Sequence, residues 1–166
     1  MDADLLEELY RKYHRGALLY CTALCGDPYL AQDIAAEAFV KAYLSLPGDI
    51  PSFRYWLLRV CKNLWYDHLR SEKQMTVTEL PPALTDGSTP ESSYIRKEQL
   101  QSLWRAIARL SPMDRELLTL YYFSDVPLQE AARLLGKSYP AVRQRIQRLR
   151  QTLKQEMEEH GYGRNV

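Results

Sequence analysis

The chain has 166 residues, 46% apolar and 26% charged, values of a globular protein that exclude a disordered, collagen-like or low-complexity chain and leave room for one ordinary domain or two small ones. Its longest uncharged apolar-rich stretch, Gly16 to Leu24, is about half of the ~18 residues needed to span a bilayer, and acidic Asp2 and Asp4 stand where a signal peptide is basic, so we expect a soluble, cytoplasmic protein without membrane insertion. The net charge of +1 hides a division: the first 49 residues carry 4 Lys/Arg against 8 Asp/Glu, whereas Leu128 to Gln155 carries 7 basic residues against the single acid Glu130, as expected of a chain that meets both a protein and a polyanion.

A first helix is predicted from Asp2 to Cys25, with Leu6, Leu9, Tyr13, Ala17, Tyr20 and Leu24 on one stripe and Gly26 ending it. Asp27 followed by Pro28 is an N-cap with proline at the first helical position, and the apolar pattern resumes from Leu30 to about Leu46 before Pro47-Gly48 stops it. Asp33, Glu37 and Lys41 share an exposed stripe of this second helix, where a Glu37-Lys41 surface pair is the plain reading. Ser52 caps a third helix that runs to about Ser71 with Phe53, Leu57, Val60, Cys61 and Leu64 inward. Its other face gathers Tyr55, Arg59, Lys62, Asn63, Tyr66 and Arg70, either a solvated surface with snorkelling aromatics or a nucleic-acid face.

From Gln74 to Ser93, Pro81, Pro82, Gly87 and Pro90 break every period, which predicts a flexible linker. Helix returns from Tyr94 to Leu110 with Leu100, Leu103, Trp104 and Ile107 on one face, and Ser111-Pro112 restarts the next through Phe123. Pro127 to Leu135, a turn at Gly136, and a helix capped by Ser138 and running to about Glu159 have helix-turn-helix form. Small Ala131 and Ala132 permit a close crossing, while Val142, Ile146, Leu149 and Leu153 anchor the second helix. Arg143, Gln144, Gln147 and Arg148 then face outward to read base edges, and Lys137, Arg145, Arg150 and Lys154 are placed to meet phosphates. The alternative is an αα-hairpin with a basic solvated face.

Three cysteines, Cys21, Cys25 and Cys61, are too few and of the wrong parity for a secreted disulfide framework, and read as thiols of a reducing compartment. His14, Cys21 and Cys25 occupy neighbouring angles of one helix but make an incomplete ligand set, and His68 reads as a core histidine. With no Gly-rich phosphate loop, nucleophile elbow or paired catalytic acids, no enzymatic activity, metal or cofactor is expected.

The order of these pieces resembles the bacterial RNA polymerase sigma factors, specifically the extracytoplasmic-function (ECF) group, over nearly the whole chain. Residues Ala31 to Tyr43, with Asp33, Glu37, Phe39 and Lys41 in register, look like the family's polymerase-binding helix. Residues Phe53 to Arg70, with Trp56, Asn63, Asp67 and Arg70 in register, look like the promoter-melting segment, and Leu110 to Phe123 with the helix-turn-helix resembles sigma domain four. The chain departs from the pattern at Ala36, at Ala131, at Tyr139-Pro140 where the recognition helix begins, and in the thin basic content of Ser71 to Gln74.

The resemblance implies an all-α fold of two small helical domains joined by a flexible linker, with residues 1–73 as domain two, 74–93 as linker and 94–166 as domain four. It implies that Asp33, Glu37 and Lys41 dock on core RNA polymerase, and that Trp56, Arg59, Lys62, Asn63, Tyr66 and Arg70 meet promoter DNA at the -10 element. The loop Pro47, Gly48, Asp49, Ile50 to Ser52 would receive a base flipped from the non-template strand, and Lys137, Ser138, Arg143, Gln144, Gln147 and Arg148 would meet the -35 element. The partners implied are core polymerase, promoter DNA and an inhibitory anti-sigma factor; the competing expectation is a free-standing helix-turn-helix regulator that binds duplex DNA without polymerase.

Overall fold

Short-range chemistry sets nearly every helix boundary. In the computed structural model, which describes residues 2–46, 52–70 and 90–159, helix α1 (Ala3–Cys25) starts at Asp2, whose carboxylate accepts the Asp4 N–H. Asp27 caps α2 (Pro28–Ser45) by accepting from Tyr29 N–H at 2.9 Å, with Pro28 at the first position as predicted. Ser52 caps α3 (Phe53–Leu69), accepting from Tyr55 N–H at 3.3 Å, as its reading as an N-cap expects, while Pro47 to Ile50 of the predicted base-receiving loop lie outside the described residues.

Helix α4 (Pro90–Ala108) begins four residues before the predicted Tyr94, because Pro90 is tolerated in a first turn whose N–H groups need no intrahelical acceptor. The predicted linker therefore ends by Pro90, and its residues 74–89 lie outside the described residues. Ser111 caps α5 (Pro112–Leu118), which loosens into a π-helical turn over Thr119–Phe123 rather than continuing as α-helix. Helices α6 (Leu128–Leu135) and α7 (Tyr139–Glu159) complete the helix-turn-helix.

The sharp turn between α6 and α7 depends on Gly136, which sits at φ 66° in the left-handed region, with its N–H returned to Arg133 O and the Lys137 N–H to Ala132 O. A Cβ there would meet nothing within 4 Å, so the demand is conformational rather than steric crowding. Gly136→Ala is expected to lower stability by about 1–2 kcal/mol, read as a urea-midpoint shift, with no change in helix content.

The two helix groups share one core. Leu57, Leu58 and Cys61 of α3 belong to the same buried cluster as Leu117 and Leu118 of α5, Ala131 and Leu134 of α6, and Val142 and Ile146 of α7. Helix α1 is the reason. Sequence periodicity assigns it a single apolar stripe, yet every residue from Ala17 to Cys25 is buried, because α2 and α3 cover one side and α5 with its π-helical turn covers another. The uncharged run Gly16 to Leu24, apolar on all faces, was the sequence signal of a central helix. Trp104 of α4 is fully buried against Leu19 and Ala23 of α1.

Gly16 permits a close approach. A Cβ on it would lie 3.1 Å from Ser124 Cα, and the Ser124 hydroxyl donates to Gly16 O at 2.9 Å. Arg115, whose guanidinium is lowered from its ordinary pKa by burial, donates from Nε to Ala23 O at 3.0 Å and from Nη1 to Ala108 O at 3.4 Å, tying α5 to the ends of α1 and α4.

The three cysteines are buried free thiols, and burial pushes Cys25 up to about 11. His14 stacks on Tyr10 with ring centroids 4.3 Å apart, and His68 stacks on Trp65 at 5.8 Å. Among the described residues no helix is long and apolar enough to cross a membrane.

Candidate functional site

Three surfaces carry the predicted residues. On α2, burial of Ala31, Ile34, Ala35, Ala38 and Ala42 turns Asp33, Glu37 and Lys41 into solvent on one stripe. The expected Glu37-Lys41 pair does not form, and among the described residues none of the three has an ion-pair partner. Beside them Val40 and Leu44 are 54% and 75% exposed, and with Leu6, Tyr10, Phe39 and Tyr43 they line an apolar groove of about 400 Å³ between α1 and α2. Sequence reading missed this groove, because its two walls come from helices some thirty residues apart and spacing within each helix does not say that they meet.

On α3 the predicted face divides. Arg59, Asn63, Tyr66 and Arg70 are exposed, and Trp56 is half-buried, stacked on Phe53 at 6.0 Å. Tyr55 and Lys62 instead turn toward the helix-turn-helix. Lys62 Nζ donates to Glu116 Oε1 at 2.9 Å and to Leu134 O at 2.6 Å, and the Lys62 and Glu116 side chains are 12% and 10% exposed. The Arg133 guanidinium lies over the Tyr55 ring at 4.9 Å. Part of a face that reads in sequence as solvated or DNA-facing is therefore an internal contact, with Glu116 as the partner that spacing alone does not reveal.

On α7, Val142, Ile146 and Leu149 are buried and Arg143, Gln144, Gln147 and Arg148 are exposed, the division expected of a recognition helix. Lys137 and Ser138 are exposed at its start, and Ser138 Oγ accepts from Ala141 N–H at 3.4 Å. Tyr139 and Pro140 are exposed too, and together with Arg143, Gln144 and Gln147 they line one shallow depression.

Arg145 does not join its basic neighbours. It makes a two-pronged bond to Asp114, Nε to Oδ1 and Nη2 to Oδ2, both at 2.7 Å, and thereby clamps α7 to α5. That bond holds the Asp114 carboxyl below its usual value against the opposing effect of burial. Because the folded value is depressed, the contribution is complete above the unfolded carboxylate value of about 3.9 and is lost as pH falls through the lower folded value. Asp114→Asn should accordingly destabilise the protein at pH 6, with the difference in urea midpoint from the parent shrinking below about pH 4.

Residues 9–75 match the family profile of Sigma-70 region 2, and residues 100–153 match that of Sigma-70, region 4. The chain is also 31% identical over 166 residues to the RNA polymerase sigma-H factor of Pseudomonas aeruginosa, covering 92% of this chain and 86% of that one. This chain belongs to the RNA polymerase sigma factors. Its resemblance to the ECF group holds as well: the ECF RNA polymerase sigma factor SigW of Bacillus subtilis is 27% identical over 169 residues, covering 94% of this chain and 90% of the relative.

The fold agrees with the solved structure of the sigma factor RpoE in complex with the anti-sigma factor NepR from Bartonella quintana, at a TM-score of 0.68 and 20% identity over 95% of this chain and 98% of that one. As a sigma factor, the chain directs promoter-specific transcription initiation.

Proposed function

We propose that this sigma factor divides its work between the two matched regions, residues 1–73 binding core RNA polymerase and the -10 element and residues 94–166 binding the -35 element. The observation that carries this reading is the pair of exposed polar faces on separate helices: Asp33, Glu37 and Lys41 on α2, without ion pairs among the described residues, and Arg143, Gln144, Gln147 and Arg148 on α7. The groove beside α2 supplies apolar area for the polymerase contact, and the charges supply its orientation. Arg59, Asn63, Tyr66 and Arg70, with Trp56 behind them, combine cations with rings on which unpaired bases stack. Pro47, Gly48, Asp49, Ile50 and Ser52 are the residues assigned to the flipped base.

Each DNA contact is weak alone and gains effective concentration once both are held on one polymerase. The protein has no catalytic activity of its own in this scheme, acts in the cytoplasm where polymerase and chromosome are, and is held in reserve by an anti-sigma protein, as the relative from Bartonella quintana is bound by NepR. Run-off transcription with purified bacterial core polymerase on a promoter library, with and without this protein, tests the scheme. Protein-dependent starts that share two spaced elements are expected; a chain that binds operator-like duplex specifically without polymerase and fails to bind core would overturn it.

A further inference from the structure

Where α1, α3 and the turn after the π-helical segment meet, Lys12 and Arg15 of α1, Arg54 of α3, Ser124 and Asp125 line a cavity of about 200 Å³. Its apolar wall includes buried Leu57 and Leu58. At about 30 Å³ for each water of the liquid, the cavity has room for roughly six. Three cations there meet one carboxylate, a local surplus of two positive charges. Among the described residues none of these four side chains has an ion-pair partner.

Two local anomalies point at this cavity. Arg54 Nε is buried and donates to nothing among the described residues, although an N–H withdrawn from water is costly to leave without an acceptor. Asp125 holds φ 51°, the only positive φ outside glycine among the described residues, and such outliers gather where a site must be shaped. The Ser124 hydroxyl spends its proton on Gly16 O at 2.9 Å, so its oxygen can only accept from anything placed beside it.

We propose that the cavity is a seat for inorganic phosphate, bound as hydrogen phosphate. The surplus of two positive charges matches the doubly negative anion, and Arg54 Nε gains the acceptor it lacks through a charge-assisted hydrogen bond. Asp125 sets which anion is taken. An ionised carboxylate only accepts, so beside an oxyanion it repels unless that anion keeps a proton to donate. Hydrogen phosphate keeps one at neutral pH, whereas sulfate and the phosphodiesters of DNA keep none. The cations attract every anion, and the carboxylate admits the protonated one. This inference is independent of the initiation reading, because it concerns the chain without polymerase or promoter.

Isothermal titration of the full chain at neutral pH and fixed ionic strength in a chloride buffer tests it, with inorganic phosphate, sulfate and a short oligothymidylate as separate ligands. Phosphate should bind one site with a dissociation constant on the order of 0.1–1 mM, and sulfate at least about tenfold more weakly. Arg54→Gln, with helicity as parental, should weaken phosphate by about tenfold or more. Asp125→Asn suits the same left-handed backbone and supplies a donor in place of the charge, so sulfate should then bind within about twofold of phosphate. No saturable phosphate binding up to about 10 mM, equal affinity of the parent for phosphate and sulfate, or an unchanged phosphate affinity in Arg54→Gln overturns the proposal. Oligothymidylate binding that phosphate competes away and that Arg54→Gln removes overturns it too, since the cavity then serves a DNA backbone.

Discussion

Asp33→Arg combined with Glu37→Arg is expected to weaken binding to core polymerase on the order of 100-fold, through like charge placed where the partner presents cations. The two carboxylates stand one turn apart on α2, exposed and without ion pairs among the described residues, so reversing them should shift thermal stability within about 0.5 kcal/mol. Affinity for purified core, measured by fluorescence anisotropy at two salt concentrations, checks this. The parent should lose affinity with salt more steeply than the double variant, since part of its attraction is charge pairing. Equal affinity in parent and variant excludes this face and leaves the apolar groove beside it as the docking surface.

The second large effect concerns α7. Arg143→Ala with Arg148→Ala should depress transcription that depends on the -35 element by about 100-fold or more, because each two-pronged arginine contact to guanine is worth about 1–3 kcal/mol of discrimination. Binding to core should be unchanged, since neither side chain approaches α2. The salt dependence distinguishes two kinds of contact. If the arginines meet phosphates instead, the loss is uniform across promoter sequences and the salt slope falls by about one per cation removed. Arg145 is the internal control: engaged by Asp114, its removal should cost stability before it costs recognition.

Local order in the chain was legible wherever a helix begins or ends on a side chain. Asp27, Ser52 and Ser138 cap as expected, and Gly136 turns as expected, because a cap or a left-handed turn is decided within about four residues. The start of α4 and the π-helical turn at Thr119–Phe123 were not legible, since proline marks a first turn as readily as a break, and a widened turn follows from packing on α1 rather than from composition.

The candidate faces divide in the same way. Asp33, Glu37, Lys41 and the exposed residues of α7 follow from helical spacing once the apolar face is known. The fates of Lys62, Tyr55 and Arg145 do not, because spacing says which way a side chain points along its own helix and nothing about the charge that faces it.

By itself, then, the sequence determined the seven helices found among the described residues, the acidic and basic ends of the charge distribution, the helix-turn-helix and the family to which they belong. Only the tertiary structure decided that α1 runs through a core shared by both regions, and that Glu116 and Asp114 hold two cations otherwise suited to DNA. The physical reason is distance along the chain. Caps and periods are set by neighbours within a turn or two, whereas a buried ion pair such as Lys62 with Glu116 joins residues 54 positions apart, and forms only after apolar burial has brought their helices together.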